Sequence, residues 1–422
     1  MKIGKQIAGG ALVVWLLLSL MGFPVAVSAQ AQKQPVVLAL IEPLSGPFKD
    51  VGTEVAAFVE YGVEQLNAKG GVLGQPVKLK LYDNQMKPDV AIRMAKKAVL
   101  EDGAKIIMNN TNSAVGLALS KVAMELGVIH LILHNEADEI MGTEFQLNSF
   151  RVCLSTSMHS GILAHYFATT PHKRFYLLNQ DYAFGHAVAD SFKKMFQKVK
   201  RADQEIVGEE FHPMATKDFG PYVTKALALK PDVVITGNFG PDLGNLIKQS
   251  KSLGLKAIFG AYFLDSAMHI SQAGEAALGS VTGDCYLATV KTKKNQEFVK
   301  GWQAWLKKNH PEMSSVYLVP SSIALDADAI LWLGEVINLA KSMEAAKIIK
   351  AWEGMEYDGL TGKMTMRACD HQVQRAGFVG VMQANHAFRN IHNLPFLSGD
   401  PIVIPAEKIT IPPKDTGNPR CK

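Results

Sequence analysis

The sequence predicts an α/β protein with two lobes, each a parallel sheet flanked by helices. Three observations carry this. Short continuous apolar runs, as in strands buried on both faces, alternate with helix-period segments along the chain. The alternation restarts near Phe150-Arg151-Val152-Cys153. The length of 422 residues, 48% hydrophobic and 20% charged, suits two domains with sizeable cores and excludes a disordered chain.

The elements follow in order. Val36-Val37-Leu38-Ala39-Leu40-Ile41 is the first strand, and it ends in the loop Glu42-Pro43-Leu44-Ser45-Gly46-Pro47. Val55, Phe58, Val59, Val63 and Leu66 form one helical stripe, and Gly70-Gly71 closes it. Val77, Leu79 and Leu81 alternate with lysines, a strand signal. Pro88 suits the first turn of a helix whose buried face is Ala91, Met94, Ala95 and Ala98. Ile106-Ile107-Met108 is a strand, Val115 through Leu126 mark a helix, and 128–133 is a strand. In the second series, helices carry Ile162 with Phe167, Val188 with Phe196, and residues 243–253. Strands lie at 175–178, 232–236 and 257–259. Two further helices follow Cys285, one with Phe298, Trp302 and Leu306, the other over 323–339. Repeated strand–helix units of this kind imply parallel sheets covered by helices.

The first 29 residues read as an export signal. Lys2 and Lys5 precede an apolar core over 11–27, and small residues at Val27 and Ala29 place cleavage before Gln30. Setting aside those two lysines lowers the net charge from +5 to +3, too weak a bias for a nucleic-acid partner or an anionic membrane. Cys153, Cys285, Cys369 and Cys421 have no Cys-x-x-Cys spacing, so no metal centre is indicated. In an oxidising compartment one or two disulfides are expected, and spacing alone leaves all three full pairings open.

Motifs for catalysis are missing. The chain has no Gly-x-Ser-x-Gly elbow and no His-Glu-x-x-His. Gly359-Leu-Thr-Gly-Lys363 lacks the spacing of a phosphate loop. These absences favour an exported binding protein over an enzyme. Ligands of open α/β sheets sit beyond the carboxyl ends of strands, and three such ends are polar here. Asn109-Asn110-Thr111-Asn112-Ser113 opens a helix, where Ser113 can cap and the amide of Ala114 adjoins a site for a carboxylate; an ordinary cap would look the same. His134-Asn135-Glu136 follows the next strand, and Asn179-Gln180-Asp181-Tyr182-Ala183-Phe184-Gly185 brings rings and amides before a later helix.

The blocks Glu42-Pro-Leu-Ser-Gly-Pro-Phe48 and Leu66-Asn-Ala-Lys-Gly-Gly-Val-Leu-Gly74 resemble the branched-chain amino-acid-type substrate-binding proteins of bacterial ABC transporters. Asp181-Tyr-Ala-Phe-Gly185 is similar to that family's Asp-x-x-Tyr-Gly block, and Lys251-Ser-Leu-Gly-Leu-Lys256 to a later one. The resemblance runs from about Pro35 to Gln383. It implies the type I periplasmic binding fold: two doubly wound parallel-sheet lobes joined by three hinge crossovers. It also implies a periplasmic monomer without cofactor or catalytic residues, which closes on a small-molecule ligand and delivers it to a permease. A sensor presenting its ligand to a signalling partner is the alternative. The implied crossovers fall near Arg151 to Cys153, near Asp284-Cys285-Tyr286, and between Arg367 and Arg375. Lobe one is then 35–152 plus 286–368, and lobe two 153–285 plus 369–422. Cys153 and Cys285 fall on two neighbouring crossovers and would pair, leaving Cys369 with Cys421.

Carried over residue by residue, the resemblance implies that Ser113 receives a ligand carboxylate. Phe184 takes the place of a second-lobe tyrosine, and Val51 that of a first-lobe tyrosine. Asn238 and Phe239 stand near an aromatic contact. The acid that holds a ligand ammonium falls near Tyr262, a loss unless Asp265 or Glu136 substitutes. With Phe48, Tyr182, His134 and Asn135 added, the cleft reads as ring-lined, which favours a carboxylated aromatic compound over an aliphatic amino acid.

Overall fold

A computed structural model describes residues 34–391 and 396–422. The expected export signal, residues 1–29, lies outside the described residues. The first sheet holds β1 (Val36–Glu42), β2 (Val77–Asp83), β3 (Ile106–Asn109), β4 (Ile129–Ile132) and β5 (Ser149–Arg151). Its order is β2-β1-β3-β4-β5, parallel throughout. Helices α1 (Lys49–Ala68), α2 (Pro88–Leu100) and α3 (Ser113–Leu126) connect these strands.

β1 explains the two-sided cover. Leu38 and Leu40 join a core with Val55 and Val59 of α1 and with Trp332. Ala39 and Ile41 join another with Ala91 and Ala95 of α2 and Val115 and Leu119 of α3. Successive side chains of a strand point to opposite faces, so an unbroken apolar run needs helices on both.

The chain then enters the second lobe through α4 (Thr156–Ala168). Here β6 (Arg174–Gln180), β7 (Glu205–His212), β8 (Val233–Thr236), β9 (Ile258–Ala261) and β10 (Val281–Asp284) alternate with α5 (Ala183–Val199), α6 (Gly220–Leu229), α7 (Pro241–Ser252) and α8 (Ala267–Ala273). These strands pair in parallel. After β10 come α9 (Lys293–Asn309), α10 (Ala324–Ala340) and α11 (Ala345–Trp352), which return to the first lobe. Trp332 of α10 and Trp352 of α11 bury against β1. A small antiparallel sheet follows: β11 (Glu356–Gly359), β12 (Gly362–Met366) and β13 (Val373–Gln374).

The chain crosses back between Gln374 and Gly377. It adds β14 (Gly377–Gln383) antiparallel to β10, then α12 (Ala387–Ile391), β15 (Leu397–Ser398), β16 (Ile402–Ile404) and α13 (Ala406–Ile409). The second sheet is therefore mixed.

Two expectations are corrected here. The sequence reading assigns 369–422 to the second lobe. Instead, Val373 and Gln374 pair with β12, and Gln372 bridges to Arg151. The tail also returns to the first lobe, where Asn418 Nδ2 donates to the Met141 carbonyl at 2.9 Å and Arg420 Nη2 to Glu353 at 2.6 Å. Cys369 and Cys421 are disulfide-bonded, but Cys153 and Cys285 are buried free thiols, not a pair. The Cys153 thiol turns to the Leu154 carbonyl, 3.3 Å away. Among the described residues, no helix is long and apolar enough to cross a membrane.

Candidate functional site

The carboxyl ends of the two large sheets face one another across a cavity, and loops from both line it. The space open to the centres of water molecules is about 70 Å³. From the first lobe come Val51 and Glu54 of α1, the loop 110–113, His134 and the loop 321–323. From the second come Tyr182, Phe184, Phe239, Gly240, Phe263, Asp265, Ser266, Met268 and His269.

Seven residues singled out in the sequence therefore meet at the cavity: Val51, Ser113, His134, Tyr182, Phe184, Phe239 and Asp265. The other six do not line it. Phe48 lies at the lobe boundary, its ring 5.2 Å from that of Phe239. Ala114 gives its amide to the side chain of Asn112 at 3.0 Å. Asn135 Nδ2 donates to the carbonyls of Asn110 and Asn112. Glu136 is buried in an ion pair with His159 at 2.9 Å. Asn238 Nδ2 meets His212 Nε2 at 2.8 Å. The Tyr262 ring stacks on His159 with 4.0 Å between centroids, and its hydroxyl bonds that of Ser160.

The helix start also differs from expectation. Asn112, with φ 73°, caps α3, so Ser113 is not the cap; its hydroxyl accepts from the Ala137 amide at 3.3 Å. A buried carboxylate, Glu42, fills much of the neighbouring loop. It accepts from the amides of Asn110 and Thr111 and from the Thr111 hydroxyl. Burial, partly offset by those hydrogen bonds, pushes its pKa up to about 7.

The cavity wall is acidic. Asp265 is only 4% exposed, and burial, with repulsion from Asp284, raises its pKa to about 7. Its Oδ2 accepts from the Ser322 amide of the opposite lobe at 2.6 Å, and its Oδ1 has no hydrogen-bond partner. Glu54 accepts from Ser321 Oγ at 2.7 Å, and burial raises it to about 8. Among the described residues, no lysine or arginine lines the cavity. Glu54, Phe263 and Ser321 to Ile323 were not singled out from the sequence. An acid within a helix stripe and a serine pair far down the chain carry no local ligand signal.

These features describe a cleft enclosed between the two lobes and lined from both. A family model described as periplasmic binding protein matches residues 35–387. The chain belongs to the periplasmic binding protein family. This substrate-binding protein of ABC-transporter type is 28% identical over 369 residues to the Leu/Ile/Val-binding protein homolog 4 of Brucella abortus, covering 82% of this chain and 84% of that one. It is also similar to the leucine-, isoleucine-, valine-, threonine- and alanine-binding protein of Brucella ovis in its closed conformation. There the identity is 26% and the TM-score 0.77, over 90% of this chain and 97% of that one. A solute-binding protein of Rhodopseudomonas palustris BisB5, in complex with 3,4-dihydroxybenzoic acid, shares the fold at 21% identity. Its TM-score is 0.77, over 88% of this chain and 98% of the other.

Proposed function

We propose that this binding protein captures a small zwitterion, an α-amino acid with an apolar or aromatic side chain, and delivers it to the permease of an ABC importer. The reading includes export through residues 1–29 and action as a monomer. One observation carries the ligand assignment: the buried Asp265 carboxylate, with one oxygen unpartnered, lies beside Glu54, and among the described residues no lysine or arginine lines the cavity. An ammonium supplies the missing countercharge, whereas a purely anionic aromatic acid would meet two like charges. The start of α3, with Ser113, takes the carboxylate end, since a helix N-terminus favours an anion. Phe184, Phe239, Phe263 and Met268 take the side chain.

Asp265 thus fills the role that the sequence reading finds vacant at Tyr262, and Glu136 is withheld from it by its pairing with His159. The names of the Brucella relatives, one a Leu/Ile/Val-binding protein homolog and the other a leucine-, isoleucine-, valine-, threonine- and alanine-binding protein, agree with an amino acid. Closure follows from the cross-lobe bond of Asp265. The carboxylate that meets the ligand also holds Ser322 of the other lobe, so binding favours the closed state.

Titration calorimetry with leucine, phenylalanine and benzoate tests this. An amino acid is expected to bind, and Asp265→Asn to weaken it at least tenfold. Its affinity rises from pH 6.5 to 8.5, because Glu54 and Asp265 ionise over that range and only the ionised forms attract an ammonium. Tight benzoate binding that strengthens as pH falls, with no amino acid bound, would overturn the assignment.

A further inference from the structure

Behind the cavity, three side chains that are distant in sequence converge. His134, Asp284 and Cys285 each bring one donor atom to within 4.8 Å of the other two. His134 comes from the loop after β4 in the first lobe, while Asp284 ends β10 and Cys285 begins the crossover out of the second. Two of the three carry a buried polar atom with no hydrogen-bond partner: Nε2 of His134 and Oδ2 of Asp284. The other atom of each is engaged. Asp284 Oδ1 accepts from the Cys285 amide, and His134 Nδ1 lies 3.3 Å from Asp326 Oδ1 and 3.1 Å from Asn110 Nδ2. Cys285 is a free thiol, fully buried.

We propose that His134, Asp284 and Cys285 form a binding site for a zinc-class divalent cation at the junction of the two lobes. The donor set decides the class. One imidazole nitrogen, one carboxylate oxygen and one thiolate sulfur suit a borderline ion such as Zn²⁺, whereas Mg²⁺ and Ca²⁺ take oxygen ligands. The Asp326 carboxylate at Nδ1 orients the imidazole as outer-shell acids do for metal-bound histidines. Three protein donors leave a fourth position for water. Tetrahedral coordination brings donors to about 3.5 Å of each other, so the ion draws this group together by up to about 1.3 Å.

The surroundings favour a cation. Asp326 stands 3.3 Å from His134, and Asp265 lines the same cavity wall as that histidine. The Cys285 thiol gives up its proton to solvent when the sulfur takes the metal. The ion joins a ligand-lining loop of one lobe to a crossover, which couples metal occupancy to hinge movement. The site does not depend on which ligand fills the cavity.

The test uses the mature protein without added ligand, titrated with Zn²⁺ and Co²⁺ and followed by native mass spectrometry and absorbance. One ion per chain is expected, with a thiolate-to-cobalt charge-transfer band. Cys285→Ser removes the band and weakens Zn²⁺ binding at least tenfold, His134→Gln weakens it as much, and Cys153→Ser changes neither. On unaltered protein, Zn²⁺ slows maleimide labelling of Cys285 but not of Cys153, read by peptide mass; this decides the matter if a variant fails to fold. A wild-type protein without the band, a band that survives Cys285→Ser, or equal labelling with and without Zn²⁺ would leave His134 as a buried imidazolium between two acids and end the proposal.

Discussion

Glu42, Glu54 and Asp265 tie the stability of the ligand-free protein to pH. Their folded pKa values of about 7, 8 and 7 lie above the ordinary carboxylate range, in each case chiefly through burial. The folded chain therefore holds more protons than the unfolded chain up to those values, and stability falls as pH rises through them. His159 acts with the same sign. Burial opposes its charge, but Glu136 more than offsets this and raises it to about 9, so its contribution is full below about 6.5 and is lost as pH climbs through 9. His130 and His269 are pushed down by burial, which penalises the fold only in acid, below about 6.5. Between pH 6.5 and 8.5 Glu42, Glu54, Asp265 and His159 act with one sign, and His134, which is also raised, acts with them. Differential scanning calorimetry should find a melting temperature that drops by several degrees across that window; a flat or rising profile would contradict the assignment. The same scale shows why site residues were only partly legible. The sequence places the right loops at the right strand ends, but not the side chain that faces inward. Asp265 faces the cavity while Tyr262, three residues earlier, turns onto His159.

At the level of elements, the tail is the part least like its expectation. α13 packs on α4 in the second lobe, yet residues beyond it reach Met141 and Glu353 of the first, and Cys421 is bonded to Cys369. The bond closes a loop with a sequence separation of 52, and the chain-entropy model assigns such a loop about 4 kcal/mol. Reduction by dithiothreitol should lower the urea midpoint clearly, and Cys421→Ser should reproduce the shift without reductant. An unchanged midpoint would mean that the other tail contacts suffice. Strands buried on both faces, such as β1 and β3, were legible because every residue in them is apolar or nearly so. β7 was not, because Glu205, Glu209 and Glu210 punctuate an edge strand that is mostly half-buried. β13 and β15 span two residues each, too short for any period to register.

For the molecule as a whole, closure rests on a narrow fit between Phe48 of one lobe and Gly240 of the other. Gly240 has φ 61° and ψ −147°, a conformation nearly confined to glycine. A Cβ there would stand 3.0 Å from the Phe48 ring. Gly240→Ala therefore carries backbone strain of about 1–3 kcal/mol in any lobe arrangement, plus a clash that exists only when the lobes are shut. Ligand affinity is expected to fall about tenfold, and Phe48→Ala in the same chain should restore part of it, as a double-mutant cycle by calorimetry would measure. Independent, additive losses would show that the two residues do not meet in the closed state.

Under the proposed delivery to an importer, the bond between Asp265 and Ser322 bears on how a loaded carrier is told from an unloaded one. On that reading, shutting the lobes without cargo buries Glu54 and Asp265 with no ammonium beside them, so at alkaline pH the vacant protein should favour the open form and present few false deliveries. In acid those carboxyls are neutral and the obstacle disappears. Acidification should then let the vacant carrier imitate the loaded one, and ATP spent by the transporter would no longer be matched to solute moved.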